Sequence, residues 1–437
     1  MNLKYFIIFI FAFLISTAQS ATFNLDDFLH KNGKLMWNLN QEQLKIVSKL
    51  PLRSQDNFDN VLRYNIKETI DKVTLNKTAV PEVIFNFKQR KLQSAVISVY
   101  NRGDSGVWSE QSFNNAIAGF QKYLADFTKC TKPVYESRKL ENFRIDSYTY
   151  KGQNGDFIIR YNRRGRFPEY IQIMIYPAGK APRLQESLRA NINRKTLSLN
   201  LIIEQNGDAY INIPMVNQGN KGYCVAATVE RLMKYYGSNI DQQIIAQLAG
   251  TDAYRGTNVR TLYNALSGND ARLKIRVDKL MHDNTNEDVD DVIKFNTLYN
   301  NIAKKNKTAR VNIKDFTKGR GRYRRINYSE LMKNYDYEIY KSAKCRNARM
   351  PEKFNKYIKE YLDKGIPLVW ITYVFNGMPP KGQIGRFSMH MRIINGYNSR
   401  NNSIIYTDSW GKGHEKKSLS LNDAWTHTLM LIAITPR

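Results

Sequence analysis

The chain has 437 residues, 42% of them hydrophobic and 24% charged, a length that suggests two domains. Lysine and arginine outnumber the acidic residues by 67 to 39, and a net charge of +28 favours anionic surfaces, polymers or substrates as partners. No segment after residue 20 reaches the roughly 18 apolar residues of a membrane helix, which excludes an integral membrane segment beyond that point.

Residues 1–20 predict a secretory signal peptide. Lys4 precedes an apolar stretch from Tyr5 to Ile15, and the small residues Ala18 and Ser20 fit the positions before a cleavage site. No cysteine follows directly after Ser20, so a lipid anchor is not expected. The sequence therefore predicts a secreted or periplasmic protein.

Residues 21–177 alternate between helical and β patterns and predict a smaller α+β domain. Leu25–Lys72 is expected to be helical or irregular, and residues 178–200, which contain Pro182, are expected to be a linker. The predicted helices are Gln41–Leu50 and Ser109–Lys129, and the predicted strands are Val83–Phe87, Leu92–Tyr100, Tyr148–Tyr150, Phe157–Tyr161 and Tyr170–Tyr176.

Residues 201–437 form the second predicted domain. Residues 281–349 are long, polar and basic, which indicates an insertion. The other predicted elements are the strand Asp208–Val216, the helices Asn239–Leu248, Val259–Leu266 and Glu352–Asp363, and the strands Pro367–Val374, Ile404–Thr407 and Leu429–Thr435, with a further strand around His390.

Cys224 stands at the start of an amphipathic helix. Apolar positions recur at helical spacing from Val225 to Tyr236, and Gly237 ends the pattern. A thiol in the first turn of a helix lies where unpaired N–H groups and the helix dipole favour an anion, which lowers its pKa. Gln218 lies six residues upstream, and Gly222 two residues upstream, of this cysteine.

A histidine and an acidic turn follow in the second half of the domain. His390 lies on an apolar strand pattern, and Asp408 opens the sequence Asp-Ser-Trp-Gly, whose tryptophan is Trp410. A lone cysteine or histidine is usually structural, but Gln, Cys, His and Asp in this order carry more information. His414 and His427 are rival bases that do not keep this order.

The segment from Pro214 to Ala226 and the Asp-Ser-Trp-Gly turn resemble the papain-like cysteine peptidases of clan CA. The first parallels the family pattern P-x-x-N-Q-G-x-x-G-x-C-x-A, and the second parallels its [ND]-S-W-G turn. The acid at Asp408 places the chain nearer the bacteriocin-processing bacterial branch than papain, which has asparagine there. The resemblance covers about residues 205–437 and does not extend to residues 21–200.

The resemblance implies a two-lobed catalytic domain with a helical lobe and a β lobe. It assigns Cys224 as the nucleophile, His390 as the base and acid, and Asp408 as the group that orients the imidazole. Gln218 would donate to the oxyanion beside the backbone N–H of Cys224, and Trp410 would shield the His–Asp pair from water. Because papain uses an amide at the third position, Asp408→Asn is expected to keep a measurable rate.

These residues predict an exported cysteine endopeptidase that acts on proteins or peptides through an acyl-enzyme. The alternatives are a secreted binding protein on a catalytically silent scaffold of the same kind, and a Cys-His acyltransferase or cell-wall amidase. The reaction needs no cofactor, and no metal site is predicted. The domain of residues 21–177 is interpreted as accessory, with an inhibitory prosegment as the alternative, because it lacks the charged helices of papain-type propeptides.

Two further features remain open. Cys130 and Cys345 form an even pair if Cys224 is catalytic, so a disulfide between them is possible in an oxidising compartment, and two separate buried thiols are the alternative. The basic run from Lys304 to Arg325 is either a solvated loop or a docking surface for an anionic polymer or cell surface.

Overall fold

A computed structural model of the chain describes residues 20–57, 60–140, 143–219, 222–251, 256–283, 289–319, 324–374 and 388–437. The predicted signal peptide, apart from Ser20, lies outside these residues. Within the described ranges, no helix combines the length and apolar character that a bilayer crossing requires.

The N-terminal region, residues 20–177, consists of strands and a few helices. Its helices are α1 (Leu25–Asn32), α2 (Gln41–Ser48), α3 (Arg102–Ser105) and α4 (Glu110–Thr128). Its strands are β1 (Thr22–Asn24), β2 (Arg53–Ser54), β3 (Val61–Asn65), β4 (Lys72–Leu75), β5 (Thr78–Ala79), β6 (Glu82–Lys88), β7 (Lys91–Asn101), β8 (Val134–Leu140), β9 (Phe143–Lys151), β10 (Asp156–Arg164) and β11 (Phe167–Tyr176).

One antiparallel sheet organises this region, in the order β2-β3-β6-β7-β11-β10-β9-β8. Helix α4 packs on β9, β10 and β11. Its apolar residues Phe113, Ile117, Phe120 and Leu124 are buried at helical spacing, and Ser109 caps it by accepting a hydrogen bond from the backbone N–H of Ser112. The helix is therefore the one that the sequence predicts, capped by the predicted serine.

The rest of the chain begins with α5 (Leu184–Leu188). Its further helices are α6 (Cys224–Tyr235), α7 (Gln242–Leu248), α8 (Val259–Gly268), α9 (Asp270–Leu273), α10 (Val289–Lys305), α11 (Tyr328–Lys333), α12 (Tyr337–Lys344), α13 (Arg349–Leu362) and α14 (Leu421–His427). Its strands are β12 (Leu201–Ile203), β13 (Asp208–Ile211), β14 (Ile275–His282), β15 (Thr317–Lys318), β16 (Arg325–Ile326), β17 (Leu368–Val374), β18 (Ser388–Asn398), β19 (Ser403–Thr407), β20 (Lys417–Ser420) and β21 (Thr428–Pro436).

A second sheet runs in the order β12-β13-β18-β17-β21-β14, with β19 beside β18 and β20 beside β19. Alternate residues of β17 serve opposite faces, as the pleat requires. Val369 and Ile371 join the core that contains α6, whereas Leu368 and Trp370 join the core beneath α13 and α14. Helices thus cover both faces of this sheet, and the described chain is a mixed α+β protein.

Residues 178–200, the predicted linker, pack partly against the fold. Leu184, Leu188 and Leu197 are buried in the same core as α6. Pro182 and the basic residues give the segment a linker-like composition, but its leucines supply enough apolar surface to pack.

The predicted insertion 281–349 is also largely folded. In α10, Val292, Phe295 and Tyr299 lie at helical spacing and are buried in the core, and Tyr340 of α12 packs beside Phe295. An amphipathic helix has a charged face and an apolar face. The average composition of the segment is therefore polar, although the apolar face of α10 is buried. In the N-terminal region, the strand β3 was likewise missed within Leu25–Lys72.

Of the two alternatives for Cys130 and Cys345, the structure has the separate thiols, and all three described cysteines are free. Cys130 packs against the core of the N-terminal sheet, whereas Cys345 packs against the core beneath α13 and α14. The Sγ atom of Cys345 instead lies 3.7 Å from the hydroxyl of Thr426. The two sulfurs belong to different cores, so the disulfide alternative does not hold in this structure.

Candidate active site

Helix α6 carries Cys224 to the strand that holds His390. Cys224 is the first residue of the helix, and Thr228 lies one turn later on the same face. The Thr228 hydroxyl donates a hydrogen bond to the backbone carbonyl of Met391 across 3.2 Å, which fixes the helix against β18. Because Met391 follows His390 directly, this contact brings the thiol and the imidazole together.

The side chains of Cys224 and His390 are neighbours that shift each other's pKa. Burial raises the pKa of Cys224, but the imidazole of His390 and the backbone N–H groups of Met391 and Val225 outweigh it, so the pKa lies below its ordinary value. Burial lowers the pKa of His390, but Asp408 and Cys224 raise it above its ordinary value. Both shifts favour a thiolate beside an imidazolium.

The register of the sheet places Asp408 next to His390. Thr407, the last residue of β19, pairs with Ile393 of β18, so Asp408 follows toward the start of β18. Nε2 of His390 lies 3.3 Å from Oδ1 of Asp408 in an ion-pair contact. The ring of Trp410 stacks on the imidazole with centroids 4.3 Å apart and planes 9° apart. His390 is 5% exposed and Asp408 is 0% exposed, so both side chains are almost completely shielded from solvent.

Two cations also hold the Asp408 carboxylate. Nε of Arg392 donates to Oδ1 across 2.8 Å, and Nζ of Lys417 donates to Oδ2 across 3.1 Å. Burial raises the pKa of Asp408, but His390, His414 and Arg392 lower it well below its ordinary value. The carboxylate is therefore ionised throughout the neutral range.

Arg231 of α6 holds the turn around Asp408 in place through hydrogen bonds. Its guanidinium donates to the backbone carbonyl of Asp408 and to the hydroxyl of Thr407, each across 2.6 Å, and to the carbonyl of Pro214 across 2.9 Å. Burial lowers the pKa of this arginine to about 10. One buried side chain thus joins the nucleophile helix, the acid turn and the start of the Gln218 loop.

Gln218 lies beside the same acid turn. The backbone N–H of Gln218 donates to the carbonyl of Ser409 across 2.9 Å, and the Ser409 hydroxyl donates to its Oε1 across 2.7 Å. With Oε1 engaged, Nε2 is the donor end of the amide. The next turn is closed by the N–H of Gly219, which donates to Oδ1 of Asn217 across 2.9 Å. Gly222 follows two residues before Cys224, with its carbonyl near Gly256.

The rival histidines occupy other positions. Nδ1 of His414 lies 2.7 Å from Nζ of Lys417 and 4.0 Å from Oδ2 of Asp408, on the side of the carboxylate opposite His390. His427 is buried with Nδ1 3.1 Å from the carbonyl of Tyr373, and burial lowers its pKa to about 3. His390 is the histidine whose imidazole lowers the pKa of Cys224.

Sequence reasoning missed several residues that hold the site together. The role of Arg392 could have been predicted. It lies on the same face of β18 as His390 in an otherwise apolar stretch, and a buried arginine requires a counter-ion. Lys417 and Ser409 left no signal, because a lysine in a polar turn and a serine beside a tryptophan are common. Trp410 and Asp408, both singled out in the sequence, lie beside His390.

The comparisons with known proteins bear on the second half of this site. The sequence model of the Peptidase_C39 like family matches residues 291–428, less than a third of the chain. The match includes His390 and Asp408, whereas Cys224 lies before it. No curated protein matches the chain. The family match supports a papain-like, C39-type cysteine peptidase and suggests peptidase-like activity.

Proposed function

We propose that the protein is an exported cysteine endopeptidase in which Cys224, His390 and Asp408 cleave peptide bonds through an acyl-enzyme. The observation that carries the proposal is the Cys224–His390 pair at the start of α6, covered by Trp410 and backed by the Asp408 carboxylate. The family match to residues 291–428 agrees with a protein or peptide substrate.

In the acylation step, the Cys224 thiolate attacks the carbonyl carbon of the substrate. The C–S bond forms and the π electrons of the carbonyl move to its oxygen. The Nε2 group of Gln218 and the backbone N–H of Cys224 donate to this oxyanion. When the carbonyl re-forms, the C–N bond breaks, and the His390 imidazolium transfers its proton to the leaving amine.

In the deacylation step, the neutral imidazole removes a proton from water, whose oxygen attacks the thioester carbon. The C–S bond then breaks, the acid product leaves, and the thiolate and imidazolium are restored. Asp408 remains ionised throughout and stabilises the charged imidazole. Trp410 excludes water from this ion pair, which strengthens it in both steps.

Alkylation by iodoacetamide followed by peptide mass spectrometry tests the nucleophile. We expect stoichiometric labelling of Cys224 at neutral pH, with the partly buried Cys130 and Cys345 as slow internal references. His390→Ala should slow labelling of Cys224 to the rate of these references. Equal labelling of all three cysteines would exclude an activated nucleophile.

A peptide library separates the endopeptidase from the other hypotheses. Cleavage of internal peptide bonds that disappears in Cys224→Ala supports the proposal. Rapid labelling of Cys224 with no cleaved peptide would instead indicate an acyltransferase or a cell-wall amidase, whereas an unreactive Cys224 would indicate a silent scaffold. A signal peptide at residues 1–20 would deliver this activity to a secreted or periplasmic location, which fractionation of an epitope-tagged chain tests directly.

The basic run suggests an anionic partner for the peptidase. Exposed lysines at 304, 305, 307, 314 and 318 lie at the end of α10 and in the turns after it. Charge at this density attracts anionic polymers or cell surfaces mainly through counter-ion release. We propose that this surface holds the protein near an anionic partner.

A further inference from the structure

A buried residue of the N-terminal region contacts the loop that carries Gln218. Nδ2 of Asn217 donates to Oε1 of Gln55 across 2.9 Å, although the two residues are 162 positions apart. Gln55 is 5% exposed. Its backbone N–H donates to the carbonyl of Val61, so pairing of β2 with β3 holds it in place. The contact therefore comes from an ordered part of the N-terminal sheet.

The same glutamine also approaches the turn that follows Trp410. Gly411 has φ +81°, and a Cβ atom there would lie 2.9 Å from Nδ2 of Asn217 and 3.6 Å from Oε1 of Gln55. The turn after Trp410 and the Gln218 loop therefore meet at Gln55. The absence of a side chain at Gly411 allows this close approach.

Two neighbouring contacts make the interface continuous. Asn57 donates from its backbone N–H and from Nδ2 to the two carboxylate oxygens of Glu415, each across 3.0 Å. Glu415 in turn accepts from the backbone N–H of Gly413. On the other side, Nη2 of the buried Arg63 lies 3.8 Å from the position of a Cβ atom on Gly219. Segment 55–57 and β3 therefore flank the loop Asn217–Gly219 on two sides.

The N-terminal region also reaches the residue before the nucleophile. A Cβ atom on Gly103, in α3, would lie 2.8 Å from the hydroxyl of Tyr223, which precedes Cys224. Phe143, Ile145 and Tyr170 of the N-terminal sheet are buried in the same core as Val225 and Val229 of α6. This apolar packing joins the sheet firmly to the nucleophile helix.

From these contacts we propose that the N-terminal region is a permanent part of the catalytic site, and that Gln55 is a positioning residue for the oxyanion donor Gln218. The inference rests on the proposed function. Gln55 holds Asn217, and Asn217 shapes the turn at Gly219, so the amide of Gln218 is fixed from both flanks. An inhibitory prosegment would leave the mature site complete after its removal, whereas loss of this region would remove the acceptor of Asn217 and uncover the core beside α6.

Two probes with different transition states test this role. Acylation of Cys224 by p-nitrophenyl acetate passes through a tetrahedral oxyanion, whereas alkylation by iodoacetamide requires only the thiolate. In Gln55→Ala the full-length chain should lose about tenfold to a hundredfold in the rate of the nitrophenolate burst. Its alkylation rate should stay at the wild-type value, because the Cys224–His390 pair is untouched.

Gln93→Ala is the matched control. Gln93 is another glutamine of the N-terminal sheet. Among the described residues, its Nε2 donates to the nearby backbone carbonyls at 91 and 92, just as Nε2 of Gln55 donates to those at 53 and 54. It should leave both rates unchanged. Gln55→Glu keeps an oxygen acceptor for Asn217 and should restore most of the burst rate.

The outcomes separate the two proposals. A wild-type burst rate in Gln55→Ala would overturn the positioning role and leave the peptidase proposal standing. Parallel losses of the burst and of alkylation would show general damage to the site, which also overturns a specific role of Gln55. No burst in the wild-type chain, with Cys224 reactive or not, would overturn the proposed function itself.

Discussion

The guanidinium of Arg392 donates from Nε to Oδ1 of Asp408 across 2.8 Å, and the two side chains are 1% and 0% exposed. An ion pair this deeply buried leaves a costly unpaired charge when one partner is removed. Asp408 therefore has a structural role beside its contact with His390. That role was not visible in the Asp-Ser-Trp-Gly motif.

Asp408→Asn should destabilise the fold as well as slow catalysis. The amide cannot neutralise Arg392 and Lys417, and we expect a loss of about 3–5 kcal/mol in the free energy of unfolding. Urea unfolding at neutral pH measures the loss. A measurable rate is therefore expected only at temperatures at which the variant remains folded.

The pH dependence and a control complete this test. The fold lowers the pKa of Asp408. The carboxylate therefore contributes its full stabilisation of the fold above the pKa of the unfolded chain, ~3.9, and this stabilisation is lost as the pH falls through the lower pKa of the folded chain. The stability gap between wild type and Asp408→Asn should therefore narrow in acid. His390→Ala, which leaves the Arg392 pair intact, should abolish activity with a much smaller loss of stability. A neutral-pH gap below about 1 kcal/mol would contradict the structural role of Asp408.

The rate of hydrolysis should follow a bell-shaped pH profile. The acid limb reflects Cys224, whose pKa is lowered, and the alkaline limb reflects His390, whose pKa is raised. Alkylation by iodoacetamide should follow the acid limb alone and remain fast at pH values below the ordinary pKa of a thiol. In His390→Ala the onset of alkylation should move up toward ~8.5, the value of an ordinary thiol. An onset that does not move would mean that the imidazole does not activate Cys224.

Gln218→Ala should lower kcat by roughly a hundredfold or more, with a smaller change in KM, because an oxyanion donor acts mainly in the transition state. Steady-state kinetics on a cleaved peptide measure both constants. Ser409→Ala is an informative companion, because it removes the hydroxyl that holds Oε1 of Gln218 and leaves the donor in place. It should cause a smaller loss than Gln218→Ala. An unchanged kcat in Gln218→Ala would remove the glutamine from the mechanism.

Binding to an anionic polymer such as heparin should weaken steeply with salt if the basic surface is its site. Substitution is preferable to deletion, because Val311 is buried and β15 pairs with β16 within this segment. Replacing Lys304, Lys305 and Lys307 with glutamine should lower the affinity and the slope against salt concentration.

The control replaces three exposed lysines of the N-terminal region, Lys129, Lys132 and Lys139. It makes the same change in net charge, and Lys129 and Lys307 share a positive φ, at 58° and 55°. Peptidase activity should survive both triple variants. Equal losses of affinity in both would indicate an effect of net charge without a localised surface.

The amino-acid sequence by itself determined the helices and strands that depend on interactions between neighbouring residues. Ser109 caps α4 because a serine hydroxyl accepts from the backbone N–H three residues on, and the apolar spacing after Cys224 sets the buried face of α6. Strands such as β17 follow from a run of apolar residues after Gly365. These signals act within a few residues, so a single chain reveals them.

Only the tertiary structure decided which distant groups meet. The partners of Asp408 come from α6, β18 and β20, and the partner of Asn217 comes from a strand region 162 residues earlier. Spacing in the sequence carries no information about such contacts, because they depend on sheet register and on how the two sheets pack. For the same reason the sequence could not show that segments 178–200 and 281–349 pack against the core, or that Cys130 and Cys345 lie in different cores. Whether a segment is buried depends on the surfaces that the rest of the fold presents to it.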